Sequence, residues 1–397
     1  MEIDDNTIQE MPIISPQETI NEENTIEQEQ EGANQIIVPF DPNLIRIKRD
    51  PFTLGELIDK IEYNEVKFDT SFQRKSDLWG PTKQSRLIES LLLRLPLPAF
   101  YFDEIVEHED SLTQRITIWQ VIDGLQRCSA FNNFIVNQTL RLENLEFLTQ
   151  FNGMSFSELP RELQRRIKQT PITTYILEKG TPEAVKFNIF KRINTGGLVL
   201  TPQEIRHAMN QGVAANTIAE LANLDEFKTA TCHIISSERM EDRDFVTRFV
   251  SFYLLGYYNY EPDLDSFLTQ GMGEIKKLSS DELLQMKDAF VSAMILARQI
   301  FGWDAFRKRT EPYARRRPIN KALFEVESVV YAKMSEQQRE KLLHLKDSFK
   351  AKFMELNTDD RFKYAISSGT GQKDSVLRRY SEFIKIIEYT IDEKIEL

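Results

Sequence analysis

Asp123, Gly124, Gln126 and Arg127 bring a carboxylate, a flexible turn, an amide and a guanidinium into one short stretch. An apolar β-type run, Ile116 to Ile122, leads into Asp123-Gly124. Cys128, Phe131, Phe134 and Ile135 then follow at helical spacing. The predicted arrangement is a strand, a glycine turn and a helix. The amides and positive dipole end of such a helix attract an anion, most often a phosphate. Arg127 adds a fixed cation where that phosphate would sit. Asp123 adds a carboxylate able to hold magnesium or a water. A glycine turn before a helix is common in plain connections. The combination with Asp-Gly and an Arg three residues after the Gly is more specific.

Two further groups carry the same chemistry. Gln73 and Arg74 follow a short β-like piece, Val66 to Phe68. Arg192, Asn194, Thr195, Gly196 and Gly197 end a helix that begins at Pro182. Arg206 lies on the next helix, which Thr201-Pro-Gln-Glu204 opens as a capping box. All lie at element ends, where ligand sites on α/β layers are built. Arginines converging there repel one another unless an anion or carboxylates stand between them. The plain alternatives are structural ion pairs for Arg74 and Arg206 and an ordinary helix cap at Asn194 to Gly197.

Other chemistries find little support. His108, His207, His233 and His344 lack metal-pair spacing, and the two cysteines are far apart, so a zinc site is not expected. Cys128 is near a helix start, but its position on the apolar face reads as core. No Gly-x-Ser-x-Gly elbow or Walker-type loop is present. Pro262-Asp263 with Glu274-Ile-Lys276 loosely matches a nuclease pattern, but the region reads helical. Arg307-Lys-Arg309 with Arg315-Arg-Arg317, and Arg161, Arg165, Arg166 and Lys168, are cationic runs. They suit a nucleic-acid backbone or a solvated helix face about equally.

The elements that must position these residues are bounded by composition. The chain has 397 residues, 41% hydrophobic and 28% charged, enough for two or three domains. The net charge of -12 sits mostly in residues 1–40, which hold ten acids and no Lys or Arg, so the remainder is nearly neutral. Residues 1–45 read as a disordered acidic tail. Residues 46–212 read as an α+β domain and 213–397 as a mainly α-helical domain. Helices are expected over Leu54 to Ile61 and Leu87 to Leu95, and strands over Ala99 to Phe102 and Pro171 to Leu177. An acidic loop is expected around Glu104 to Asp110 and a surface region up to Gln169. Further helices are expected at Phe245 to Tyr257, Leu283 to Phe301, Ile319 to Met334, Glu340 to Leu356 and Ser375 to Ile391. No secretory signal or membrane span is expected, and unpaired thiols suit a reducing cytoplasm.

Taken in order, these segments resemble the GmrSD restriction-endonuclease N-terminal domain family. The marks are Phe72-Gln-Arg74 with Trp79, Pro96-Leu-Pro98, Asp123-Gly-Leu-Gln-Arg127, Asn194-Thr-Gly-Gly197 and Leu200-Thr-Pro-Gln-Glu-Ile-Arg206. Arg239-Met240, Arg248-Phe249 and Asn320-Lys-Ala-Leu-Phe324 also look familial. The family box is usually Asp-Gly-Gln-Gln-Arg, and here Leu125 replaces its first Gln.

The resemblance implies a fold similar to the ParB and sulfiredoxin nucleotide-binding domain. It also implies nucleotide binding and hydrolysis within anti-phage defence. The sulfiredoxin cysteine falls at Leu125, so that redox chemistry is not expected, and neither is the family's separate His-containing nuclease part. The expected site has Asp123, Gln126 and Arg127 as catalytic residues, with Asp123 also holding Mg2+. Gln73, Arg74, Gly124, Arg192, Asn194, Thr195, Gly196 and Arg206 are expected to bind a nucleoside triphosphate. Expected partners are a nucleotide, DNA and a separately encoded nuclease. The alternative is a non-catalytic adaptor, responsive to nucleotide or DNA, that regulates such a nuclease.

Overall fold

The computed structural model describes residues 25–27, 46–67, 79–108, 115–193 and 200–395. Among these residues five strands form one mixed sheet: β1 (Ile47–Thr53), β2 (Val66–Lys67), β3 (Phe100–His108), β4 (Arg115–Asp123) and β5 (Pro171–Leu177). Their order is β1-β5-β3-β4-β2. β3 runs antiparallel to β4 and parallel to β5, so the end of β4 and the start of β3 share one edge: Tyr101 pairs with Asp123 and Phe100 with Thr174.

The first part also contains α1 (Leu54–Glu62), α2 (Pro81–Leu92), α3 (Leu125–Phe131), α4 (Arg161–Lys168), α5 (Glu183–Ile193) and α6 (Pro202–Met209). α1 begins where Thr53 and Glu56 cap each other reciprocally, and it buries Leu54, Leu57, Ile58 and Ile61. These residues pack with Ile88, Phe102, Trp119, Phe131 and Phe134 in one apolar cluster. A smaller cluster joins Leu177, Phe187, Phe190, Ile205 and Met209, with Ile122 and Leu200 packed against it. The chain is α+β: beyond this sheet, helices dominate.

The second part holds α7 (Val213–Asn223), α8 (Asp225–Ala230), α9 (Glu241–Leu255), α10 (Leu264–Glu274) and α11 (Ser280–Phe301). α12 (Lys321–Lys333), α13 (Glu336–His344), α14 (Lys346–Leu356), α15 (Asp360–Ser367) and α16 (Lys373–Ile391) follow. One large core runs from Ala214 to Ile395, with Phe249, Phe290 and Phe324 fully buried in it. No described helix is long and apolar enough to cross a membrane.

Several local expectations need correction. β3 continues through the predicted acidic loop to His108, because its backbone pairs with β4 as far as Arg115. β1 was not legible: Ile-Lys-Arg-Asp-Pro-Phe-Thr is a mostly exposed edge strand, where Pro51 is tolerated and alternation is weak. α2 stops at Leu92, before its expected end at Leu95, and Arg94 takes a left-handed conformation at φ 60°. The region from 137 to 169 is not merely surface. Leu140, Leu142, Leu145 and Phe156 are buried, and the buried Glu89 accepts hydrogen bonds from the amides of Glu146, Phe147 and Leu148 at 3.0, 2.7 and 2.9 Å. The helix expected over Glu340 to Leu356 is two helices that break at Leu345.

Of the acidic tail, Thr25–Glu27 are described. They lie along Ile319, with the Glu27 amide donating to the Ile319 carbonyl at 2.8 Å and the Ile319 amide to the Thr25 carbonyl at 3.0 Å.

Candidate functional site

β4 delivers Asp123 as its last residue, and Gly124 turns the chain into α3 at φ 105°. A side chain at 124 would be strained, and its Cβ would lie 2.5 Å from Phe100 Cδ1. The turn therefore requires glycine on two grounds. A five-residue π-helical segment, Asn132–Val136, follows α3 directly.

Arg127 folds back under this turn and is 7% exposed. Its guanidinium donates to the carbonyls of Pro98 and Ala99, the latter at 3.1 Å, and to Asp123 Oδ2 at 2.9 Å. It also stacks 4.2 Å from the centre of the Phe100 ring. Burial lowers its pKa, and Asp123 opposes that shift. Arg127 thus locks the start of β3 to the turn. The Asp123 side chain remains 41% exposed, leaving one face open to a ligand.

Gln126 reaches a different element: its Oε1 accepts the Trp79 amide at 2.9 Å. Gln84 Nε2 donates to the Trp79 carbonyl at 2.6 Å, so the entry to α2 is pinned against the turn. Leu125 packs against the first apolar cluster, a place suited to its apolar side chain. Cys128 is fully buried, and burial pushes its thiol up to about 12, far from a nucleophilic thiolate at neutral pH.

The other expected site residues fall in three places. Gln73 and Arg74, and likewise Asn194, Thr195 and Gly196, lie outside the described residues. One flank of the first segment meets the turn, where Trp79 bonds Gln126, and one flank of the second, Leu200, packs against the same smaller apolar cluster as Ile122. Arg192 is exposed at the end of α5.

Arg206 meets carboxylates of the helical part. It is 1% exposed, with Nη1 2.9 Å from Asp265, Nη2 3.0 Å from Asp244 and Nε 2.9 Å from Gln203 Oε1. Lys321 reaches Asp244 at 3.0 Å, Lys191 reaches Asp265 at 2.9 Å and Arg239 reaches Glu204 at 2.9 Å. Burial alone would raise both aspartates, but Lys321, Arg248 and Arg206 hold Asp244 well below the usual carboxylate range. Arg206 and Lys191 lower Asp265 as well.

This polar girdle borders a cavity of about 600 Å3 that also receives Arg239, Arg248 and Lys321. Arg239, Arg248 and Asn320-Lys321 are familial pieces whose positions along the sequence give no sign that they meet Arg206. Their shared cavity depends on the approach of α6, α9, α10 and α12, which no local pattern encodes. Among the described residues, no group of three or more His, Cys, Asp or Glu is gathered for a metal.

Residues 54–210 match the family described as GmrSD restriction endonuclease, N-terminal domain. No curated protein matches the chain. The matched segment begins with α1, spans the Asp123 turn and ends just after α6, so it contains both the turn and Arg206. Residues 54–210 therefore form a domain of the GmrSD restriction-endonuclease N-terminal family.

Proposed function

We propose that this chain is a cytoplasmic component of a GmrSD-type restriction system and binds a nucleoside triphosphate at the Asp123 turn. The family match across this turn carries the reading. The backbone amides after Gly124 hold a phosphate, and Arg127 and Arg74 neutralise it. Asp123 fits magnesium in the manner usual for that ion, as one carboxylate beside substrate phosphates. The ion would supply charge neutralisation on those phosphates. Asp123 and Gln126 orient the attacking water, and Arg192, with Asn194, Thr195 and Gly196, closes the site from the opposite loop. A ParB/sulfiredoxin-like fold belongs to the same proposal. The helical part contacts DNA or a separately encoded nuclease.

Phosphate release from each of the common triphosphates, with magnesium, tests this. Turnover should fall at least tenfold in Asp123→Ala and Arg127→Ala. Equal turnover in the native protein and both variants would dismiss the assigned roles.

A second reading has its own support. The Arg127 guanidinium is already engaged by two carbonyls and Asp123, as in a positioning residue. On this reading nucleotide or DNA only alters how the helical part meets its partner. Tight triphosphate binding without phosphate release would select this adaptor over hydrolysis.

A further inference from the structure

The basic segment around residues 307–317 is not evenly available to a partner. Arg307 is buried and donates to the Arg317 carbonyl. Arg309 and Arg316 share Asp304, at 3.0 and 3.5 Å. Arg315 and Arg317 are exposed, and between the two basic triplets Tyr313 is 98% exposed. An accessible aromatic ring among guanidinium groups suits a stacked base beside bound phosphates.

The remaining cation, Lys308, has an internal occupant. Its ammonium contacts the Glu27 carboxylate and donates to Ser367 Oγ at 2.6 Å. The other Glu27 oxygen accepts from Asn320 Nδ2 at 3.1 Å. Asn320 caps α12, its Oδ1 accepting the Leu323 amide at 2.8 Å, so Glu27 lies at that helix's positive end. Backbone pairing with Ile319 fixes Thr25–Glu27, and Ile26 packs against the large apolar core. A cation and a side-chain amide donor beside a helix start thus hold a carboxylate, and the same donors suit a phosphate oxygen. The segment that supplies it belongs to a stretch of ten acids and no bases over residues 1–40.

We propose that Thr25–Glu27 is an acidic strap occupying one phosphate position of a nucleic-acid surface formed by Lys308, Tyr313, Arg315 and Arg317. The strap lowers affinity for a nucleic-acid strand by direct competition and by the repulsion of its neighbouring acids. This rests on the reading of the helical part as the portion that contacts nucleic acid.

The test uses the full chain and a labelled single-stranded oligonucleotide of mixed sequence, titrated at several salt concentrations. Glu27→Gln and the double variant Ile26→Ser, Glu27→Gln should bind more tightly, the double variant by about tenfold. The salt dependence should steepen by roughly 0.7 in logarithmic slope for each phosphate newly neutralised. Adding Arg315→Glu and Arg317→Glu to the double variant should remove the gain, and Tyr313→Ala should reduce it. Unchanged circular dichroism would establish that each variant is folded. If the native protein binds the strand and the strap variants bind no better, the strap is overturned and the nucleic-acid reading stands. If the strap variants gain affinity that charge reversal does not remove, the assigned surface is overturned. Absence of binding by every variant overturns both the strap and the reading beneath it.

Discussion

The Asp123 turn and the Arg206 girdle each bury an arginine, but they solve its desolvation differently. Arg127 is held by two backbone carbonyls, one aromatic face and a single half-open carboxylate. Arg206 is held between two carboxylates from another part of the chain, with a glutamine on its third nitrogen. The first arrangement fixes a local turn and leaves Asp123 reachable. The second closes its charges on one another and joins α6 to α9 and α10. Buried arginine in this molecule therefore marks two different jobs, which the partners distinguish and the residue type does not.

The largest way to break that contrast is Arg206→Ala. It removes the buried partner that Asp244 and Asp265 share, leaving them to Lys321 and Lys191, and should cost about 3–5 kcal/mol in chemical denaturation. Arg127→Ala should come next, at about 2–4 kcal/mol, because it leaves two backbone carbonyls without their donor. Gly124→Ala should cost about 1–3 kcal/mol through positive φ and the approach to Phe100. Asp123→Asn should cost less than about 1 kcal/mol, since that side chain is half exposed. If it nevertheless abolishes triphosphate binding by calorimetry, the turn is a ligand site; unchanged heat would make it a structural turn like the girdle.

The effect expected to be smallest sets the girdle against a buried carboxylate of the sheet, Asp103 on β3, by pH. Asp244 and Asp265 are depressed in the folded chain, so they stabilise it above the ordinary carboxylate value, and that contribution is lost as pH falls through their depressed values. Asp103 behaves oppositely. Burial raises it to about 6, although Lys186 lies 2.8 Å away. An acid whose folded pKa is raised favours the fold most when protonated. Its contribution is therefore full below the ordinary 3.8 and is lost as pH rises through about 6. Thermal midpoints measured from pH 4 to 7 should show this falling component in the native protein and not in Asp103→Asn. A component of equal slope in both would assign it elsewhere.

Much of the local structure was legible in the residues. Thr201-Pro-Gln-Glu204 and the β-run into Asp123-Gly124 are short-range signals, and each forms the cap or turn its chemistry requires. β1 was not legible because an exposed edge strand has no apolar rhythm of its own; it exists because β5 offers it a partner. The acidic residues after Phe102 suggested a loop, yet ladder pairing with β4 overrode their weak strand preference.

The sequence by itself determined the caps, the glycine at 124, most helical periods and the ordered familial segments, all properties of residues close along the chain. Only tertiary structure decided that Arg127 turns toward Pro98 and Ala99, that Arg206 faces Asp244 and Asp265, and that Glu27 reaches Lys308. The physical reason is that a charge's role depends on which groups replace its lost water. In a folded chain those groups come from segments whose separation along the sequence carries no information about their distance in space.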